Sequence, residues 1–266
     1  MFWRRKAHRD HARELLAWFG LLLMLASLVW FELLPPAEPR ISVTAPPKEN
    51  AFGVVVIDAG HGGEDSGAIQ PGIVEKDLSL DVAQRLQRLL ESQGLVTDMT
   101  RIGDNFLTLA ARAAVANRQH DAVFVSIHFD DAARTQATGV ETYYAARQVS
   151  SAPSLAAWLP FLPRPPPDTW NEQSQSLAGF IQEALVRRTQ ALNRGTRAEQ
   201  FFVIANVRHP AVLVEGGFLT NKDDVNKLMD PEYREQMAAA ICEGIFRYRE
   251  VLKQQQPVTA PTMPGA

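Results

Sequence analysis

Residues 53–80 read GVVVIDAGHGGEDSGAIQPGIVEKDLSL, and the fold follows from how this stretch changes its period. Val54–Ile57 is a β-branched apolar run too short for a helix, which predicts a buried strand. The run stops at Asp58, and Gly60-His61-Gly62-Gly63 follows at once. Glycines on both sides let the backbone turn sharply and keep bulk away from the imidazole. A side chain presented at the C-terminal end of a buried strand sits where open α/β sheets place their ligands. Glu75 then heads an amphipathic helix, with Leu78, Val82, Leu86 and Leu89 on one face and Gly94 as the stop. A strand end thus supplies an imidazole and the next helix start supplies a carboxylate.

Outward from this unit, strand and helix patterns alternate, predicting a single α/β domain with an open, mixed and mostly parallel sheet flanked by helices. Leu95–Arg101 reads as a strand, Leu107–Gln119 as an Ala-rich helix, and Ala122–His128 as a buried strand ending on a second histidine. Val140–Ala145 alternates as an edge strand does, and 172–192 reads as a helix with Leu177, Phe180, Ile181, Ala184 and Leu185 inward. Phe201–Ile204 and Ala211–Glu215 are expected strands, the latter ending on a carboxylate before two glycines. Asp230-Pro231 caps a last long helix whose apolar face carries Met237, Ile241, Ile245 and Tyr248.

The 266 residues carry a net charge of −3, and five of the 27 Lys/Arg against two of the 30 Asp/Glu fall in residues 1–14. The remaining chain therefore holds 22 basic and 28 acidic side chains, which offers no electrostatic footprint for nucleic acid. The single cysteine, Cys242, excludes an intrachain disulfide and a Cys-rich zinc site; it reads as a small packing residue in the last helix.

Residues 15–34 form an apolar segment without a charge from Leu15 to Phe31, with Trp18 and Trp30 near its ends. At 1.5 Å per residue this spans about 26–30 Å, enough for a bilayer core. The basic flank at 1–14 keeps the N-terminus cytoplasmic and sends the rest outward, to the cell envelope. An uncleaved transmembrane anchor is the expectation and a cleaved signal peptide its rival, the apolar stretch being long for a signal and followed by no clear cleavage site. Residues 35–52 are a Pro-rich spacer, 53–253 the folded domain, and 254–266 a disordered tail. Within the domain, 148–170 is a Pro-rich insertion bearing Trp158-Leu159-Pro160-Phe161-Leu162, which suggests a lid or a surface for a regulatory protein, or else an inert packed loop.

Thus His61 follows the first strand, His128 and Glu215 end two others, and Glu75 is a fourth group. Two histidines and one carboxylate make a hydrolytic zinc centre with an open position, and a second carboxylate moves the proton. Alone, each has an ordinary reading: a hydrogen-bonded core histidine, a carboxylate complementing a helix dipole, a paired structural charge.

Taken in order, IDAGHGGEDSGA, IVEKDLSLDVA, TRIGD, LAARAAVAN, FVSIHFD, GVETYY, NRG and PAVLVEGGFLTN resemble the zinc-dependent N-acetylmuramoyl-L-alanine amidases, over about Val54 to Tyr248. The resemblance implies one Zn²⁺ held by His61, Glu75 and His128, with Glu215 catalytic. It also implies a peptidoglycan substrate cut between the lactyl group of N-acetylmuramic acid and L-alanine. A non-catalytic wall-binding module, or a zinc hydrolase of another wall amide, are the alternatives. Two features depart from the family: Phe129-Asp130 after SIH, where a small residue and Asn are usual, and the 148–170 insertion. Asp58 and Asp65 are candidates to orient a ligand imidazole, and Arg101 and Arg194 to bind substrate carboxylates. Asp130 bears on the cleft's charge, and His209 reads as a loop residue; His8 and His11 belong to the basic flank.

Overall fold

A computed structural model describes Trp18, Phe19, Met24 and residues 51–131, 135–148 and 170–255. The chain divides into two compact units, 1–48 and 49–266. In the first, Trp18, Phe19 and Met24 are helical and exposed. The expected anchor at 15–34 otherwise lies outside the described residues, as do the spacer up to residue 50, the heart of the insertion (149–169) and the tail from residue 256. No helix among the described residues is long and apolar enough to cross a membrane.

The second unit begins with β1 (Val54–Ala59), followed by a two-stranded hairpin of β2 (Ile69–Gln70) and β3 (Ile73–Val74) that runs directly into α1 (Glu75–Ser92). Then come β4 (Val96–Met99), α2 (Leu109–Arg118), β5 (Ala122–Asp130), β6 (Val140–Tyr144), α3 (Trp170–Thr189) and β7 (Asn193–Ala198). A short α4 (Phe202–Ala205), β8 (Ala211–Phe218), α5 (Lys222–Met229) and α6 (Pro231–Gln254) complete it. The main sheet has the order β4-β1-β5-β8-β6-β7. The first four strands are mutually parallel; β6 runs antiparallel to β8 and carries β7 parallel to itself.

Both faces of the sheet are covered, so its central strands are apolar on alternate residues toward each side. Val55, Ile57, Val125, Ile127, Val212 and Val214 join one core with α1, α3 and α6. Val56, Phe124 and Leu213 join a second with α2 and α4, through Ala113, Ala116, Val203 and Ile204. Leu78, Val82 and Leu86 of α1 are buried as its period requires, each contributing about 1.5–3 kcal/mol. Leu90 completes that face, while Leu89 is only partly buried.

The sheet corrects two expectations. Phe201–Ile204 belongs largely to the helical turn α4, not to a strand: a four-residue apolar run fits either period, and burying Val203, Ile204 and Ala205 against α2 decides it. The strand at 140–144 is internal, because the polar segment NRGTRA forms β7 outside it. An edge strand with charged, half-exposed residues lacks the apolar alternation by which inner strands are recognised.

Candidate active site and metal centre

The parallel strands deliver the site at their C-terminal rim. β1 ends at Ala59, and His61 follows in a left-handed backbone conformation (φ +58°), which costs a non-glycine residue about 1–3 kcal/mol. In β5 the register sets His128 beside Glu215 of β8, just before the register shifts to pair Asp130 with Phe218. Glu75, first residue of α1, is buried and reaches between the two imidazoles. Its Oε1 lies 2.9 Å from Nε2 of His61 and 3.1 Å from Nδ1 of His128, and accepts the Phe129 N–H at 3.1 Å. Its Oε2 accepts the Ala68 N–H at 2.9 Å. The rings of His61 and His128 meet edge to face, centroids 4.9 Å apart.

His61, Glu75 and His128 each offer one ligand atom, all within 4.8 Å of one another. The surroundings fit an ion at this point. A Cβ at Gly67 would stand 2.4 Å from Glu75 Oε2 and 2.7 Å from His61 Cδ2; one at Gly60 would stand 2.5 Å from His128 Cε1. The chain is thus stripped of side chains where the three donors converge. Two imidazole nitrogens and one carboxylate oxygen are a donor set suited to zinc.

Electrostatics set the protonation of these groups. Burial alone would raise Glu75, but hydrogen bonds from His128 and His61 outweigh it and hold the carboxyl far below its ordinary range. Burial would lower His61, yet the carboxylates of Glu75 and Asp65 raise it. Asp65 Oδ2 lies 2.9 Å from His61 Nδ1, and its Oδ1 accepts the Gly67 N–H at 3.1 Å. Glu215 is the opposite case: burial first, then the charges of Glu75, Asp130 and Glu141, push it well above the ordinary carboxylate value. Its Oε2 is buried and has no hydrogen-bond partner among the described residues.

The other expected residues divide. Asp65 contacts an imidazole. Asp58 does not: its oxygens accept from Thr100 at 2.6 Å, Ser126 at 2.7 Å and Arg112 at 2.9 Å, all buried below the site. Arg101 is buried, and its guanidinium is taken up by the carbonyls of Ala59, Gly60, Lys76 and Gly103, so the expectation that it binds a substrate carboxylate gives way. Arg194 pairs with buried Glu141 at 3.3 Å and lies over the Phe218 ring at 4.7 Å. Phe129 is buried in the core, and Asp130, raised by burial, is half-buried at the strand end. His209 Nε2 sits 3.1 Å from the Gln119 carbonyl, away from the three donors.

Sequence reasoning passed over Arg112, Glu141 and the Lys76–Asp104 pair. Lys76 donates to the Gly63 carbonyl at 2.9 Å and to Asp104 at 2.8 Å, pinning the glycine loop to α1. Glu141 stands opposite Glu215 in the antiparallel register, accepting from the Tyr143 hydroxyl and pairing with Arg194 and Arg197. An arginine among alanines in LAARAAVAN was the available signal for Arg112: a charge on a face otherwise suited to burial.

The profile of the N-acetylmuramoyl-L-alanine amidase family Amidase_3 matches residues 55–247. The chain is 38% identical over 194 residues to the uncharacterized protein YqiI of Bacillus subtilis, a match covering 73% of this chain and 84% of YqiI. It is 33% identical to the N-acetylmuramoyl-L-alanine amidase LytC of the same organism, covering 73% of this chain but 35% of LytC. Among solved structures, the N-acetylmuramoyl-L-alanine amidase of Clostridium difficile 630 superposes with a TM-score of 0.64 at 31% identity, over 76% of this chain and 98% of that one. With its strand order, its rim of two histidines and a carboxylate, and these matches, the chain belongs to the Amidase_3 family of N-acetylmuramoyl-L-alanine amidases.

Proposed function

We propose that the chain hydrolyses the peptidoglycan amide between the lactyl group of N-acetylmuramic acid and L-alanine, with one zinc ion held by His61, Glu75 and His128. Bound there, zinc would lower the pKa of water toward neutrality and polarise the scissile carbonyl. Glu215, as carboxylate, takes the proton from the attacking water and hands it to the leaving amine of L-alanine. Burial and neighbouring charges that raise Glu215 suit it to holding that proton between the two steps. Asp65 fixes the orientation of the His61 ring through Nδ1, leaving Nε2 free for the metal. The observation that carries this reading is the buried, unpartnered Glu215 Oε2 on the strand position beside His128, outside the three-donor cluster.

The test is muropeptide digestion followed by mass spectrometry. Free stem peptides beginning with L-alanine, lost on chelation and regained with zinc, uphold the reading; shortened stems or deacetylated glycans overturn it. Glu215→Gln should lower kcat by about 10²–10⁴-fold while the protein keeps its zinc. We further propose that residues 15–34 tether the domain to the membrane, facing the wall, and that 148–170 is where a regulatory protein engages. Deletion of residues 151–167 that leaves both activity and its control unchanged would remove the second proposal.

A further inference from the structure

The backbone of β1 loses its strand partners just before the metal ligand. The ladder to β5 ends at Ala59 and the one to β4 at Ile57. Three successive carbonyls, of Ala59, Gly60 and His61, then need other donors. Two buried arginines supply them. Arg101, immediately beyond β4, donates Nε to the Ala59 carbonyl at 3.0 Å and Nη2 to the Gly60 carbonyl at 2.7 Å. Arg112, from α2, donates Nη1 to the Ala59 carbonyl and Nη2 to the His61 carbonyl, both at 2.6 Å. Each fork is anchored in turn. Arg112 Nη1 also donates to Asp58 at 2.9 Å, and Arg101 Nη2 to the Lys76 carbonyl at 2.7 Å. The Ser79 hydroxyl adds a bond to the Gly60 carbonyl at 2.7 Å.

We infer that Arg101 and Arg112 are positioning residues that hold the His61 turn in its left-handed form, and so set the affinity of the site for its metal. The inference rests on the assignment of His61, Glu75 and His128 as ligands. Neither arginine is within the donor cluster, and both act through the backbone. Their shape matters more than their charge: a planar fork spans two carbonyls at fixed spacing, whereas an ammonium is a single point. The turn's conformation is one that His61 would leave if released, since a non-glycine residue prefers negative φ.

The test uses Arg101→Lys and Arg112→Lys in the full chain, with zinc affinity measured by competition against a chromophoric chelator. Visible absorption of the cobalt-substituted proteins and the melting temperature of the metal-free forms complete it. Arg85→Lys, an arginine paired with Asp81 and Glu235 elsewhere on α1, is the control. Expected are zinc affinities about 10–100-fold weaker for both lysine variants, with altered cobalt spectra, and a wild-type affinity for the control. Affinities within twofold of wild type with superimposable spectra would overturn the inference, even if melting temperatures fall, since that pattern marks a merely structural role. Should a lysine variant fail to fold, Ser79→Ala removes the hydroxyl that bonds the Gly60 carbonyl at 2.7 Å and the Lys76 carbonyl at 3.1 Å and accepts from Arg101 Nη2 at 3.2 Å, loosening the Arg101 fork without removing it; weaker zinc binding upholds the inference and unchanged binding overturns it. If the wild type itself binds no zinc, the ligand assignment fails and the inference with it, an outcome distinct from equal binding by all variants.

Discussion

At Gly67 a hydrogen atom stands where any side chain would enter the space between His61 and Glu75, and its φ of +62° is one that side chains rarely adopt. Gly67→Ala therefore combines a backbone penalty of about 1–3 kcal/mol with displacement of the Glu75 carboxylate. The expected outcome is a lower melting temperature of the metal-free protein and zinc binding about 10–100-fold weaker, measured by the same chelator competition. Gly179, exposed in the middle of α3 with no atom within 4 Å of where a Cβ would lie, is the contrasting case. Gly179→Ala is expected to stabilise by about 0.5–1 kcal/mol, read from denaturant midpoints, because only the helix's backbone entropy changes. Cys242 needs no reactive role: its buried thiol is pushed up to about 11 by burial, and its sulfur accepts from Gln93 at 3.4 Å.

Among the elements, α1 and α6 are joined across their outer edge by a charge network as well as by apolar packing. Asp81 pairs with Arg85 on its own helix at 2.9 Å and with Arg234 of α6, and Arg85 reaches Glu235 at 2.7 Å. Burial opposes ionisation of Asp81, but the two guanidiniums outweigh it and hold its pKa below the ordinary value of 3.8. A carboxylate depressed on folding stabilises above its unfolded pKa, and that stability is lost as the pH falls through the folded one. Asp81→Asn should thus cost about 0.5–1 kcal/mol at neutral pH, kept small by solvent screening, with the difference from wild type flat above about pH 5 and shrinking below about pH 4. Denaturant titrations of both proteins at several pH values check this; a difference that does not shrink as the pH falls below about 4 would count against the ion pairs. The elements that were legible in the sequence are those where burial and period agree: β1, β5, β8 and α1, whose apolar runs lead to His61, His128 and Glu215 and, in α1, follow Glu75. β7 and α4 were not, because an edge strand of NRGTRA has no apolar face and FVI fits a turn of helix as well as a strand. The arginine pair was half visible: Arg101 was noticed for its charge, yet only the end of the β1 ladder explains why it turns inward.

For the whole molecule, the question is what the first 48 residues do for a domain that carries the complete site within residues 49–266. The charge is distributed as a tether would have it: five of the 27 basic residues lie within the first 14, then 17 uncharged residues run from Leu15 to Phe31, and the domain that follows is net acidic. Confinement at a membrane that faces the wall would raise the local concentration of the domain near its substrate without any new contact. If 15–34 is that tether, the full chain will sediment with membranes and stay there through high salt and alkaline carbonate, while a chain starting at Glu49 will be soluble. On small soluble muropeptides the two should release the same stem peptides at the same rate, because the site lies wholly in the second unit. A full chain extracted by carbonate would end the tether proposal, and a mature N-terminus lying beyond residue 25 would replace it with a cleaved signal, in both cases without touching the assignment of the four site residues.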